Sequence, residues 1–477
     1  MERAPQMTNV HAAQQRPVVR AFGWRDRVGY LFGDLGNDFT FIFASAYLTV
    51  YYTNVAGLNA AHVGTVFLIA RLIDAFTDVG WGRFLDRHTP GRGGRFRPWI
   101  ARMAIPVAVA STFMYAPFIA DWDYPVKLGY AAVTYLVWGS IFYTTTNISY
   151  GSMVSVISED PSHRASLSVF RGLGANSAGL IVSLVPPLLI YGMVDGRSQI
   201  VPFRFFATAL VFSACAALFY FLCHAGVRER VEAPEPAERR GLGRLLRVLA
   251  GSRPLLVVIA SNIIIMLASL FLSTMAAYLW LYHFNNGAMS GPAQLAMYVP
   301  GLLLAPIAAR FASRFGKKEV LIVALLGAAA VYLLLFALRV SDPWVYVTLN
   351  LLAGFGIGFY NLLVWAVIAD VIDSEELRSG ERDDGSIYSI NTWARKVGQA
   401  VSGGIGGYAL AFVGFQSGKP VQSDSTVEGI YALATLVPGV LFAVAACVLM
   451  LFPLSRARVA AQAAELDARH GARTGEA

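Results

Sequence analysis

Apolar residues along this chain fall into runs of about twenty, each closed by a short polar stretch, and that spacing matches a bilayer core of about 30 Å. The runs are apolar all round, whereas a soluble helical array would show one wet face per helix. The pattern predicts twelve helical spans. The first six cover about 28–52, 60–84, 99–119, 127–155, 168–193 and 203–224; the second six cover about 253–283, 292–310, 319–338, 343–372, 386–414 and 428–453. The polar linker VRERVEAPEPAERRGLGRLLR separates the two sets. The expected organisation is therefore a tail over 1–27, a six-helix bundle over 28–224, a linker over 225–252, a second bundle over 253–453 and a tail over 454–477. The fold class is all-α integral membrane, with two pseudo-symmetric six-helix bundles.

Composition agrees. The chain is 56% hydrophobic and 14% charged over 477 residues, too apolar for a soluble protein. Its net charge of +8 sits mostly in loop arginines, which reads as topology and leaves nucleic acid without a role. One set of loops carries Arg83, Arg87, Arg92, Arg95 and Arg97, then Arg164, then the linker arginines from Arg228 to Arg247, then Arg314, Lys317 and Lys318, then Arg378 and Arg382. The alternate loops carry little beyond Lys127, Arg197, Arg204, Arg339 and Lys419. The positive-inside rule puts both termini and the linker in the cytoplasm of a multi-pass cell-membrane protein, the bacterial inner membrane being the expected setting. Cys215, Cys223 and Cys447 lie in apolar segments without metal spacing and read as packing residues.

Within the spans, a few polar residues share one depth. Counting from the cytoplasmic ends at 1.5 Å per residue puts Asp38 roughly 16 Å in, Asp74 and Lys396 roughly 18 Å and Asn147 roughly 19 Å, with Asp78 a turn shallower than Asp74. Asp74 and Asp78 are i,i+4 and share a helix face with Arg71. Carboxylates in a bilayer cost several kcal/mol unless partnered, and intramembrane ions mark pathways. Two aspartates one turn apart repel in low dielectric and so recruit a proton or a cation. Lys396 supplies the counter-charge when that site is empty. The expected ligand of Asp74 and Asp78 is thus a cation or a proton, with no further cofactor. The glycines Gly354 with Gly358 and Gly403 with Gly407 are read as close-approach points for halves that rock against each other.

No phosphate-cradling glycine loop occurs, which argues against ATP-driven transport, and the seven histidines show no metal or catalytic spacing. An enzyme is not expected. A duplicated six-span block points instead to a secondary transporter with a midplane site between its halves. The run from Gly82 to Arg87, GRFLDR, followed by Arg92, resembles the cytoplasmic loop motif of the major facilitator superfamily, with RFASRFGKK after span 8 as a degenerate echo. That likeness implies a conformational latch made by Asp86, Arg87 and Arg92.

Further stretches resemble a narrower family: YLFGDLGNDF in span 1, ARLIDAFTD in span 2, GRFRPW after it, WGSIFYTTTNISYGS in span 4, ADVIDSEELRSGERDDGSIYS after span 10 and WARKVGQA in span 11. Together, and in this order, they are similar to the glycoside–pentoside–hexuronide:cation symporters, the melibiose permease-like carriers. The resemblance implies that Asp74 and Asp78 bind the coupling Na⁺, Li⁺ or H⁺, that Thr144 joins them, and that Lys396 pairs with these carboxylates. It implies that Asp38 and Arg171 bind sugar hydroxyls. Asn147 stands where that permease has an acidic residue, and is placed in both the cation and the substrate sets. Gly151 replaces an aromatic platform and Asn37 a basic residue, and the match in span 4 needs a one-residue shift after Trp138. The implied function is cation-coupled symport of a sugar or glycoside by alternating access, by a monomer in the bilayer. The alternative is a cation-coupled carrier of an amphiphile such as a lysolipid, or of another small organic solute.

The loop arginines generate a direct check. A cysteine introduced at Glu235 should be protected from an impermeant thiol reagent in intact cells and labelled after lysis; labelling without lysis would invert the topology.

Overall fold

Prolines and short capping side chains set where the helices begin. Asp160 accepts the Ser162 N–H ahead of Pro161, and Asp342 accepts the N–H groups of Trp344 and Val345 around Pro343, so each carboxylate satisfies amides that the first helical turn leaves unpaired. Asn59 and Ser423 do the same for two further helices. The computed structural model describes residues 20–88, 91, 93–231, 251–380 and 384–475.

The helices of the first half are α1 Trp24–Asn54, α2 Ala60–Arg87, α3 Arg97–Phe113, α4 Tyr124–Leu136 running through a π-turn into α5 Thr144–Ile157, α6 Pro161–Ile190 and α7 Pro202–Gly226. Those of the second half are α8 Arg253–Tyr278, α9 Ser290–Phe315, α10 Lys317–Leu338, α11 Pro343–Ser379, α12 Asp384–Phe412 and α13 Asp424–Met450, followed by the tail helix α14 Arg456–Gly475. With α4 and α5 counted as one rod, this gives twelve long segments among the described residues, and nine are long and apolar enough to cross a membrane. The other three have polar interiors: Asp34 and Asp38 on α1, residues 140–147 in the α4–α5 rod, and Arg395 and Lys396 on α12. The expected all-α membrane architecture is observed, and α6 begins earlier than the hydropathy pattern suggested because Asp160 and Pro161 start it.

One element departs from the helical expectation. Tyr191–Val194 and Arg197–Ile200 pair as an antiparallel hairpin, β1 and β2, between α6 and α7. Its turn is Asp195-Gly196, both at positive φ (51° and 73°), the conformation that a tight two-residue hairpin requires.

Each half packs on itself first. In the first half α1 lies against α6 and α7, and α3 against α7; in the second α9 and α10 flank α11, while α8 is held by α12 and α13. The end carrying the linker is stapled by buried carboxylates. Asp26 is fully buried and takes Arg20 and Arg230 at 2.9 Å each. Glu229 accepts the N–H groups of Arg95, Phe96 and Arg97 at 2.7, 2.9 and 2.6 Å, capping α3. Gly94, at φ +103°, leaves room for that carboxyl group, which a Cβ would meet at 2.5 Å. GRFRPW is thus a cap for a helix start. Of the proposed latch, Arg92 and the Asp86 side chain lie outside the described residues, and Arg87 is exposed at the end of α2.

Contacts between the halves gather at the opposite end. Thr53 and Tyr278 share a hydrogen bond of 2.7 Å, as do Thr65 and Tyr408, and Tyr282 donates to Asn54. The hairpin joins in: Ser198 N–H donates to Asn285 Oδ1 at 2.8 Å, and the Gly287 N–H donates to Ser198 Oγ at 2.9 Å. Helices α2 and α12 nearly touch there, since a Cβ on Gly407 would lie 2.2 Å from the Ala60 carbonyl and 2.8 Å from Gly64 Cα. The glycine expectation is corrected in part. Gly354 and Gly358 meet Ala296 and Gly301 of α9, inside the second half, and Gly403 has only Phe67 Cβ at 3.7 Å; the cross-half approach belongs to Gly404 and Gly407. The molecule is closed at the end opposite the linker.

A bulky residue at Gly407 must therefore drive α2 and α12 apart. In a variant with Cys215, Cys223 and Cys447 replaced by alanine, a cysteine at Thr53 should react several-fold faster with a thiol reagent once Gly407→Leu is added. Unchanged reactivity would show that this contact does not hold the end shut.

Candidate functional site

Two clusters of charge lie between the halves, and the first is built on α2. Its 3.6-residue period puts Arg71, Asp74 and Asp78 on one face, turned toward the α4–α5 rod and α12. Arg71 Nη1 pairs with Asp74 Oδ2 at 3.2 Å, and the same guanidinium lies over the rings of Phe41 and Tyr135 at 5.5 and 5.9 Å. Ser140 donates to the other Asp74 oxygen. Thr144 Oγ1 donates to Asp78 Oδ1 at 3.0 Å, and Lys396 of α12 forms an ion pair with Asp78 Oδ2. Asp74, Asp78, Thr144 and Lys396 are thus brought together, as the sequence led one to expect.

Local helix geometry makes this possible. Val137–Tyr143 form a π-turn, which holds one more residue than an α-turn and so re-aims everything after it by about 100°. Ser140 lies within the turn and Thr144 just past it, and both reach carboxylates a turn apart on α2. Ser140 itself was not foreseen; its place two residues after Trp138, among the small polar residues of WGSIFYTTTN, was the available signal.

The second cluster is built on α1. Arg171 of α6 reaches across to α1, but its ion pair is with Asp34, at 3.3 Å, and not with Asp38. The Arg171 guanidinium also covers the Tyr150 ring at 5.5 Å. Asp34 is buried, and it lies one turn before Asp38 on the same face, so the i,i+4 carboxylate pattern of α2 recurs on α1. Asp38 is half-buried, makes no side-chain hydrogen bond to a described residue, and lies within electrostatic reach of Asp34 and Arg171. Sequence reasoning missed Asp34, although YLFGDLGNDF shows the spacing plainly.

The remaining expected residues are placed as follows. Asn147, one turn after Thr144, is half-buried and makes no side-chain hydrogen bond to a described residue, so it joins neither cluster directly. Asn37 is buried and accepts a hydrogen bond from Tyr220 at 2.9 Å. A Cβ on Gly151 would meet nothing within 4 Å, so the place of an aromatic platform is open space. Between the clusters and the closed end lies a small cavity lined by Ser45, Thr49, Arg71, Thr274, Gln399 and Ser402 among others.

Chemically, the first cluster offers hard oxygen donors: two carboxylates and two hydroxyls, with Arg71 and Lys396 as counter-charges. Such oxygens suit a proton or a small hard cation. Among the described residues no three His, Cys, Asp or Glu side chains converge as they do in a metal centre. The second cluster offers an arginine and a free carboxylate, which complement the donors and acceptors of a polyol.

Known proteins point the same way. Residues 29–456 match the family model described as MFS/sugar transport protein. A Salmonella typhimurium protein provisionally assigned as a 2,3-dihydroxypropane-1-sulfonate exporter is 33% identical over 434 residues, covering 89% of this chain and 91% of its own length. A glucuronide carrier protein homolog from Escherichia coli is 29% identical, covering 94% and 96%, and an isoprimeverose transporter from Lactiplantibacillus pentosus is 28% identical, covering 91% and 89%. Among solved structures, an inward-facing bacterial homolog of the human lysosomal transporter Spinster superposes with TM-score 0.63 at 13% identity, over 92% of this chain and 99% of that one. A D-xylose–proton symporter superposes with TM-score 0.60 at 14% identity, over 90% and 98%. The chain belongs to the MFS/sugar transport protein family, the glycoside–pentoside–hexuronide:cation symporters that its motifs resemble.

Proposed function

We propose that this carrier moves a sugar or glycoside together with Na⁺ or H⁺ by alternating access, with the cation held at Asp74 and Asp78 and the sugar at Asp38 and Arg171. The observation that carries the reading is the Asp78–Lys396 ion pair, which joins α2 of one half to α12 of the other at the depth where the carboxylates gather. With no cation bound, Lys396 neutralises Asp78; a cation or proton arriving there, with Ser140 and Thr144 as further ligands, competes with the lysine. Displacing Lys396 loosens a tie between the halves, so occupancy and conformation are linked through one carboxylate. Arg71 plays the corresponding part for Asp74 from within its own helix. Asn147 lies close enough in sequence to Thr144 to line either site without holding a ligand by itself.

The closed end then faces outward and the linker end faces the cytoplasm, in keeping with the loop charges, which makes the described state inward-facing. Relatives named for glucuronide and isoprimeverose support a sugar rather than an amphiphile. The chain needs no partner for this cycle and acts as a monomer in the lipid bilayer.

Two measurements separate the sites. Arg171→Ala and Asp38→Ala should each weaken sugar binding at least tenfold, measured calorimetrically, while leaving cation-dependent thermal stabilisation in place; normal sugar affinity in both would remove the second cluster from the substrate site. Asp78→Asn should abolish accumulation of substrate against its gradient while leaving downhill exchange partly alive, because the amide permanently mimics a neutralised carboxylate. Membrane abundance, measured beside transport, identifies a folding defect. A well-inserted Asp78→Asn carrier that still concentrates its substrate would sink the coupling role.

A further inference from the structure

The charges between the halves pair off, with two left over. Arg71 takes Asp74, Lys396 takes Asp78 and Arg171 takes Asp34. Among the described residues, those between the halves without an ion pair to one another are Asp38 on α1 and Arg395 on α12. Arg395 precedes Lys396, so it points about 100° away from Asp78 around the helix. Its guanidinium lies over the Trp365 ring of α11 at 5.8 Å, and no described residue gives it a carboxylate or any other hydrogen-bond acceptor. The groups within its electrostatic reach are the Tyr360 hydroxyl of α11, already committed to Asn262, and Arg171 on the facing half. A half-buried guanidinium that faces another arginine and lacks a counter-ion is costly, and the cost disappears once an anion arrives. Stacking on Trp365 occupies one face of the guanidinium plane. The N–H edge stays free to bind an oxyanion through two parallel hydrogen bonds.

We infer that Arg395 is the anion-binding residue of the transport site, and that the transported polyol carries one sulfonate or carboxylate group. This rests on the polyol site proposed at Asp38 and Arg171. The hydroxyls of the substrate meet Asp38 and Arg171 on the first half, and its anionic group meets Arg395 on the second. The substrate then completes the pairing that the protein leaves unfinished and spans the two halves. The charges balance as well: Asp34, Asp38, Asp74 and Asp78 offset Arg71, Arg171, Arg395 and Lys396. One monovalent cation entering with one monoanion leaves the interior neutral, whereas a neutral sugar entering with a cation would add a positive charge. Two relatives are provisionally assigned to sulfonated solutes and one is named for glucuronide, solutes of this chemistry.

The test uses pairs of ligands that differ only at the anionic group: methyl glucuronide with methyl glucoside, sulfoquinovose with glucose, and 2,3-dihydroxypropane-1-sulfonate with glycerol. Binding is measured on the full-length purified carrier by calorimetry, and uptake is measured in proteoliposomes. In at least one pair the anion should bind tenfold or more tightly than its neutral partner, and its cation-coupled uptake should generate no net current. Arg395→Gln should reduce that preference to about twofold or less, while Arg395→Lys, which restores the charge without the planar fork, should keep part of it. A monodisperse Arg395→Gln protein with an undiminished preference would place the anion elsewhere and overturn the assignment. Equal or better binding of the neutral members would overturn the inference while leaving the sugar-carrier reading intact. If no member of any pair binds, the polyol site itself is wrong and the inference falls with it.

Discussion

An ion inside a bilayer must have a counter-charge, and that requirement shapes the interior of this protein. The carboxylates of the midplane all come from the first half, on α1 and α2, while the second half contributes only cations, Arg395 and Lys396, on α12. Neither half is electrically complete. The Asp78–Lys396 pair is the ionic tie between the two in the described state, and it lies about half a helix length from the Gly64–Gly407 contact that brings the same two helices together at the closed end. Helices α2 and α12 therefore carry both the electrostatic tie and the closest steric approach.

Helix packing follows from the same division of labour. Glycines let backbones approach at Gly64, Gly404 and Gly407 between the halves, at Gly356 and Gly358 within the second, and at Gly174 beside Asp34 in the first. The π-turn at Val137–Tyr143 belongs to the polar region, and it places Ser140 and Thr144 opposite Asp74 and Asp78 without bending the rod away.

Much of this was legible in the sequence. Apolar run length and loop arginines specify the spans, because a bilayer imposes a fixed length and an asymmetric charge on any chain that crosses it. The i,i+4 rule brought out Asp74 and Asp78, and depth counting put Lys396 beside them. Other features were hidden for physical reasons. Asp34 obeys the same rule but was eclipsed by Asp38, and only the fold shows that Arg171 reaches the deeper-buried of the two. A π-turn leaves no compositional mark, so Ser140 could not be aimed from spacing alone. The Asp195-Gly196 hairpin did carry a signal, yet it was masked by the apolar runs on either side. Arg395 was overshadowed by its neighbour Lys396, since a sequence does not reveal which cations find partners.

The hairpin extends the closed end into something that can be grasped. Its strands connect α6 to α7, and Ser198 both donates to Asn285 and accepts from the Gly287 N–H of the other half. Opening that end must unclasp these bonds, so the hairpin is a clasp between the halves. A binding protein that grips the β1–β2 turn could hold the clasp fastened, and would stall the pump without ever entering the membrane.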